Sequence, residues 1–106
     1  VVHEYGLETR VAGIRAIAAE VADAAADESA LFAPMLEESR RALADDRADS
    51  IVLGCAGIAG LVRPLSETLG VPVIDGVAAG VKMAEGLVGQ SLRTSKLSSF
   101  ASPPDR

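Results

Sequence analysis

The single cysteine of the sequence, Cys55, lies in the glycine-rich stretch SIVLGCAGIAGLV. It stands two residues past Leu53, at the end of a short apolar run typical of a buried β-strand. In open α/β sheets, ligands bind beyond the carboxyl ends of the strands. The residues after Cys55 are predicted to begin a helix, whose unpaired amides and positive end favour a thiolate over a thiol. The pattern therefore indicates a reactive thiol at the rim of a sheet.

The neighbours of Cys55 have little or no side chain. Gly54, Ala56 and Gly57 would let a ligand approach the backbone, and their amides could hold a carbonyl oxygen that becomes an enolate. The alternative is structural. A free cysteine is often a small buried hydrophobe, and glycines after a strand also serve close helix–strand packing.

A dinucleotide site is a second alternative. Three glycines follow the strand, and Asp75 ends the next strand about 20 residues later, as in the dinucleotide fingerprint. However, Ala56 and Ala59 occupy the second and third glycine positions of that motif. Backbone must approach the pyrophosphate at the second of these positions, so the pattern disfavours a dinucleotide.

Asp75 and Gly76 form a second strand-end pair, directly before a predicted helix. Asp75 is most simply the N-cap of the helix that starts at Val77. Because adjacent parallel strands end side by side, both residues could also lie beside the ligand cleft of Cys55.

The surrounding pattern alternates strands and helices. The chain is predicted to begin with the end of a helix, which Gly6 closes. Three strands are then predicted, VAGIRAI (Val11–Ile17), SIVLG and VPVID. An irregular segment from Ala18 follows the first strand, and helices separate the strands. The predicted helices are one from about Ser29 to Ala44, AGIAGLVRPLSETLG with a kink or break at Pro64, and GVAAGVKMAEGLV before a Ser-rich tail. This order predicts an α/β fold with a parallel βαβ sheet and flanking helices.

The composition and charge of the chain argue against several classes of function. The formal net charge of −5 comes with dispersed basic residues, which argues against nucleic acid. No apolar run approaches the roughly 18 residues of a membrane span. One cysteine and one histidine make a zinc site improbable and exclude an internal disulfide, which favours a cytoplasmic setting.

Three stretches carry a family resemblance. DSIVLGCAGIAGL, LGVPVIDGVAAGVKMAEGLV and LRTSKLSSFASPP resemble the C-terminal half of hydantoin racemases of the aspartate/glutamate racemase superfamily, to which allantoin racemases also belong. The resemblance implies a small-molecule substrate, two similar α/β domains facing each other across a cleft, and no cofactor or metal. Each domain supplies one cysteine, and the resemblance implies that Cys55 is the second of the pair. One cysteine would remove a proton as thiolate and the other would return one as thiol.

The residues after Cys55 differ from those of the amino-acid racemases in this superfamily, which typically have a G-C-T-H motif after the strand. Here Ala56, Gly57 and Ile58 follow the cysteine. A hydantoin ring carbon is more acidic than the α-carbon of a free amino acid, and the ring carries no carboxylate. The small apolar residues therefore favour a neutral cyclic ureide over glutamate or aspartate.

The resemblance also implies a division of the chain. Residues 1–77 would be an incomplete α/β domain carrying Cys55, and residues 78–106 a helix and tail that return to the missing N-terminal half. Alone the chain should not racemise, because one thiol serves one face of the substrate. Maleate isomerase, arylmalonate decarboxylase and a non-catalytic binding or assembly module are the alternatives, and a homo-oligomer is left open.

Overall fold

The computed structural model describes residues 1–18 and 27–103. It separates into two compact units, Val1–Gly76 and Val77–Arg106. The helices and strands, in chain order, are 3-10 turns at Glu8–Arg10 and Glu28–Leu31, helix α1 (Phe32–Asp45), strand β1 (Ile51–Leu53), a 3-10 segment (Ala56–Leu61), helix α2 (Val62–Leu69), strand β2 (Val73–Asp75) and helix α3 (Gly76–Gly89). Most of the irregular segment predicted from Ala18 lies outside the described residues.

The sheet is parallel, as predicted. Strands β1 and β2 pair with Ile51 opposite Val73 and Leu53 opposite Asp75. One face of this pair packs on the helices, because Leu53 and Val73 are buried, whereas Val52 and Ile74 are exposed on the other face. Within residues 1–18 and 27–103, the core consists of seven buried apolar residues from the helices, the 3-10 segments and the strands: Leu31, Met35, Leu53, Ile58, Leu61, Leu65 and Val73.

The prediction of a strand at Val11–Ile17 is wrong. Val11 has an extended backbone (φ −105°, ψ 110°), but the sheet in the described residues contains β1 and β2 alone. A strand needs a neighbouring edge within hydrogen-bond reach. This segment is instead held through a side chain, by ion pairs from Arg15 to Asp46 and Glu38.

The region after Cys55 is less regular than the predicted helix. It consists of 3-10 turns interrupted at Ile58 (φ −120°, ψ 21°), and the α-helix proper begins only at Val62. Pro64 therefore lies in the first turn of α2, where its missing N–H leaves no hydrogen bond unmade. The predicted interruption exists, but it lies before the proline.

The two glycine stops follow the predictions. Gly70 ends α2 in the left-handed conformation (φ 71°), and its amide donates to the carbonyl of Ser66 at 2.9 Å. Gly6 (φ 63°) closes a single helical turn at the start of the chain. Its amide donates to His3 and that of Leu7 donates to Val2, the paired bonds of a Schellman motif.

Helix α3 extends from Gly76 to Gly89, and none of its residues is buried. Two residues after its end, Ser91 has the left-handed conformation (φ 58°). No helix in the described ranges is both long and apolar enough to cross a membrane.

Candidate active site

The thiol of Cys55 lies at the carboxyl end of β1 and is exposed. The residue has an extended backbone (φ −137°, ψ 130°) and directly precedes the 3-10 segment. Its exposure argues against the structural alternative, in which the cysteine would be a small member of the core. The short strand, anchored by buried Leu53, places the thiol at the rim of the sheet.

The small residues around Cys55 leave its sulfur uncovered. A Cβ placed on Gly57 would lie 3.7 Å from the Cys55 Sγ, and one placed on Gly54 would meet nothing within 4 Å. Ala56 and Gly57 open the 3-10 segment. Their amides therefore have no acceptor inside that segment and are open to a bound oxygen. The interruption at Ile58 leaves no regular helix dipole behind the thiol.

The structure brings the second predicted pair to the same end of the sheet. Asp75 is the register partner of Leu53. The carbonyl oxygen of Leu53 lies 4.0 Å from the position that a Cβ on Gly76 would have. All six predicted site residues, Gly54, Cys55, Ala56, Gly57, Asp75 and Gly76, thus follow or flank the ends of two neighbouring strands. The catalytic and binding roles themselves stay predictions.

A cleft of about 850 Å³ leads along β1 to Cys55. It is lined by segment 11–17, by β1 with Gly54 and Cys55, and by Met35, Ser39 and Ala42 of α1. Sequence reasoning missed this cleft. The sequence signal for it was Ser39, which lies four residues after the apolar Met35 and three before Ala42. This spacing places the Ser39 hydroxyl on the same face of the helix as those two residues.

Three charged side chains of the cleft, those of Arg15, Asp46 and Glu38, are paired with one another. Arg15 donates to both carboxylate oxygens of Asp46, at 2.6 and 2.9 Å, and to Glu38 at 3.4 Å. The hydrogen bond from Arg15 holds the pKa of Asp46 below its ordinary value, and the same bond raises the pKa of Arg15. Within the described ranges no three His, Cys, Asp or Glu residues are grouped so as to hold a metal ion.

Residues 1–84 match the family described as Asp/Glu/Hydantoin racemase. The chain belongs to the Asp/Glu/hydantoin racemase family. It is 44% identical over 102 residues to the hydantoin racemase of Pseudomonas sp. (strain NS671), covering 96% of this chain and 41% of that protein. The hydantoin racemase of Rhizobium meliloti is also 44% identical, over 96% of this chain and 42% of its own length.

A solved structure of this family has the same fold. Allantoin racemase from Klebsiella pneumoniae superposes with a TM-score of 0.90 at 42% identity, over 99% of this chain and 43% of that protein. The chain thus spans less than half the length of these racemases.

Proposed function

We propose that this chain forms part of a racemase of 5-substituted hydantoins or a related cyclic ureide such as allantoin. The observation that carries the proposal is the exposed thiol of Cys55 at the carboxyl end of β1, in a chain 44% identical to hydantoin racemases. The small, apolar Ala56 and Gly57 beside it suit a neutral ring better than a substrate with a free carboxylate.

The proposed reaction is a proton transfer between two thiols. A cysteine thiolate on one face of the ring removes the proton from C5, and the negative charge moves to the adjacent carbonyl oxygen. The amides of Ala56 and Gly57 donate to that oxygen. A thiol on the opposite face returns a proton to C5, which inverts the centre and leaves that sulfur as thiolate. The roles exchange for the other enantiomer, and the reaction requires neither metal nor cofactor.

Cys55 supplies one of these thiols, and the other comes from polypeptide outside this chain. The matched racemases are more than twice as long, which supports a partner half. Helix α3 supports the same division, since its apolar residues Val81 and Val88 are exposed. We propose that residues 78–106 pack on that partner half, whereas residues 1–77 hold the thiol. A lone cysteine without a disulfide partner suits a reducing cytoplasm.

Deuterium exchange in the full-length protein tests the two-thiol mechanism. One enantiomer of 5-benzylhydantoin is incubated in D₂O, and NMR measures exchange at C5 while polarimetry measures inversion, with the buffer rate subtracted. Replacing Cys55 by Ala should reduce inversion by about 10²-fold or more. It should leave C5 exchange in only one enantiomer, because one base still serves one face. Equal loss of exchange in both enantiomers would contradict separate roles for the two thiols. Unchanged inversion in the Cys55→Ala variant would show that Cys55 is not one of them.

Substrate class is tested with the same enzyme on allantoin and L-glutamate. We expect turnover of the two cyclic ureides and none of glutamate above background. Faster racemisation of glutamate would contradict the assignment. The isolated 106-residue chain should not invert any of these substrates, because it holds one thiol.

A further inference from the structure

We propose that Ile58 is the positioning residue of Cys55. Its side chain, buried in the core, fixes the thiol loop, defined as residues 54–60, and so holds the sulfur where a proton can be transferred. The effect on the reaction rests on the proposed function, whereas the placement of the sulfur does not.

The thiol loop has few side chains that could order it. Three of its seven residues are glycine and two are alanine, and the other two are Cys55 and Ile58. Because glycine has the greatest backbone freedom of any residue, a chain of this composition loses much entropy when it is ordered. Its small residues, which leave the sulfur uncovered, also bury little apolar surface to offset that loss. Ile58 is the one large apolar side chain of the loop.

Burial shows where the loop is attached. Ile58 is 7% exposed, whereas the other six residues of the thiol loop are exposed. Leu53 and Leu61, which bound the loop, are also buried. The chain is therefore held at three points, and Cys55 lies between the first two, Leu53 and Ile58. Without the side chain of Ile58 the unattached stretch would lengthen from residues 54–57 to residues 54–60, and ordering it would cost more entropy.

The neighbours of Ile58 come from distant parts of the chain. It shares its core cluster with Met35 of α1 and with Leu31, which ends the 3-10 turn before that helix. The turn Glu28–Leu31 also packs against the segment Ala56–Leu61. Since a core is close-packed, the shape of these neighbours fixes where Ile58 can lie. Its side chain thereby ties the loop to the helices as well as to β1.

The backbone changes direction at the same residue. Within the 3-10 segment Ala56–Leu61, the dihedral angles depart from helical values at Ile58 (φ −120°, ψ 21°). Helical hydrogen bonding alone would favour a regular turn from Ala56 into α2, which instead begins at Val62. The departure falls on the buried side chain of the loop, so the packing of Ile58 sets the path of the backbone here.

Gly57 transmits the position of Ile58 to the sulfur. A Cβ on Gly57 would lie 3.7 Å from the Cys55 Sγ, so the backbone directly before Ile58 adjoins the thiol. A shift of Ile58 moves this backbone, together with the amides of Ala56 and Gly57 that are proposed to hold the enolate oxygen. Proton transfer requires hydrogen-bond reach, and a misplacement of about 1 Å can slow a reaction roughly 100-fold.

Two substitutions in the full-length protein separate positioning from stability. Ile58→Ala removes the proposed anchor, whereas Leu65→Ala removes a fully buried side chain of the same core from α2, outside the thiol loop. Relaxation of ¹⁵N nuclei measures the order of amides 54–57, and initial rates with 5-benzylhydantoin give kcat and KM, at a temperature at which circular dichroism shows each variant folded. We expect Ile58→Ala to lower these order parameters from about 0.85 to below about 0.6. Its kcat should fall about 50-fold while KM changes less than about threefold. Leu65→Ala should leave loop order and kcat near the wild-type values.

Equal losses of loop order and kcat in the two alanine variants would show that Ile58 acts on stability alone, and would overturn the proposal. Unchanged loop order or unchanged kcat in Ile58→Ala would also overturn it. Ile58→Val, which keeps the branched shape and loses one methyl group, should retain most of the order and lower kcat only about threefold.

Should Ile58→Ala fail to fold, the comparison of Ile58→Val with Leu65→Val decides, and unchanged loop order and kcat in Ile58→Val would overturn the proposal. If the loop loses order in Ile58→Ala but the wild type racemises no hydantoin, the proposed function fails and the placement of the thiol by Ile58 stands.

Discussion

Arg15 and Asp46, 31 residues apart in sequence, form a two-pronged ion pair. The guanidinium Nε and Nη2 atoms donate to the two carboxylate oxygens at 2.6 and 2.9 Å. The pair fastens segment 11–17, which lines the cleft that leads to Cys55, to the end of helix α1. A bidentate geometry of this kind fixes orientation as well as distance.

Replacing Asp46 by Asn should release the segment without unfolding the core. The amide keeps one acceptor oxygen and loses the charge that pairs with Arg15. We expect amide exchange in residues 12–17 to rise several-fold, with little change at buried Leu65. Glu67→Gln, which breaks an exposed pair with Arg63 on α2, is the matched control and should leave the segment unaffected. Unchanged exchange in the segment would show that the pair does not hold it.

Acid should release the same contact. The hydrogen bond from Arg15 lowers the pKa of Asp46 in the folded chain, so the unfolded chain binds the proton more readily. The contribution of the pair is therefore fully present above about pH 4, and is lost as the pH falls through the lowered pKa. An NMR titration measures the protonation of Asp46, and amide exchange in residues 12–17 at each pH measures the release of the segment. A segment that loosens well above pH 5 would contradict this assignment.

Gly13 lets Asp46 approach the segment. A Cβ on Gly13 would lie 2.7 Å from the Asp46 Oδ2, closer than carbon and oxygen tolerate, and Arg15 prevents the carboxylate from moving freely. Gly13→Ala should thus loosen the segment as Asp46→Asn does. The decisive comparison is Gly13→Ala in an Asp46→Ala background, where the extra methyl meets no carboxylate and should have almost no further effect. If the effects of the two substitutions were additive, the effect of Gly13→Ala would not come from contact with the Asp46 carboxylate.

Local patterns predicted the parts of the fold that depend on neighbouring residues. The apolar runs gave β1 and β2, and Gly6 and Gly70 take the left-handed conformations expected of helix stops. The segment Val11–Ile17 was wrongly predicted as a strand because a strand is defined by its hydrogen-bond partner, which no property of its own residues reveals. Its side-chain anchor, 31 residues away, is equally invisible to a local pattern.

The candidate site was predictable in position and less so in shape. The end of an apolar run placed Cys55 at the rim of the sheet, and the structure shows its exposed thiol there. The interruption at Ile58 and the cleft over Ser39 depend on how α1 and the 3-10 segment pack, which spacing alone does not give. The role of Cys55 as proton donor or acceptor stays a prediction.

The end of α2 offers a test of backbone conformation alone. Gly70 has φ 71°, and a Cβ there would meet nothing within 4 Å. Gly70→Ala should therefore cost about 1 kcal/mol of unfolding free energy from the left-handed conformation, without any steric clash. Asn tolerates this conformation better, so Gly70→Asn should cost less. Urea unfolding measures both variants, and an equal loss for Ala and Asn would contradict a purely conformational role.

Gly57 controls access to the thiol of Cys55. A Cβ at Gly57 would stand 3.7 Å from the Sγ, an ordinary contact distance, so Gly57→Ala should fold normally while covering part of the sulfur. We expect alkylation of Cys55 by iodoacetamide at neutral pH to slow several-fold, and more for the bulkier Gly57→Val. Gly54→Ala, whose methyl meets no atom within 4 Å, is the control and should react like the wild type. Each rate is divided by that of the same variant in denaturant, which removes intrinsic differences in thiol reactivity. A native thiol that reacts far more slowly than its denatured control would contradict the exposed site, and equal rates for Gly57→Ala and the wild type would exclude Gly57 as its neighbour.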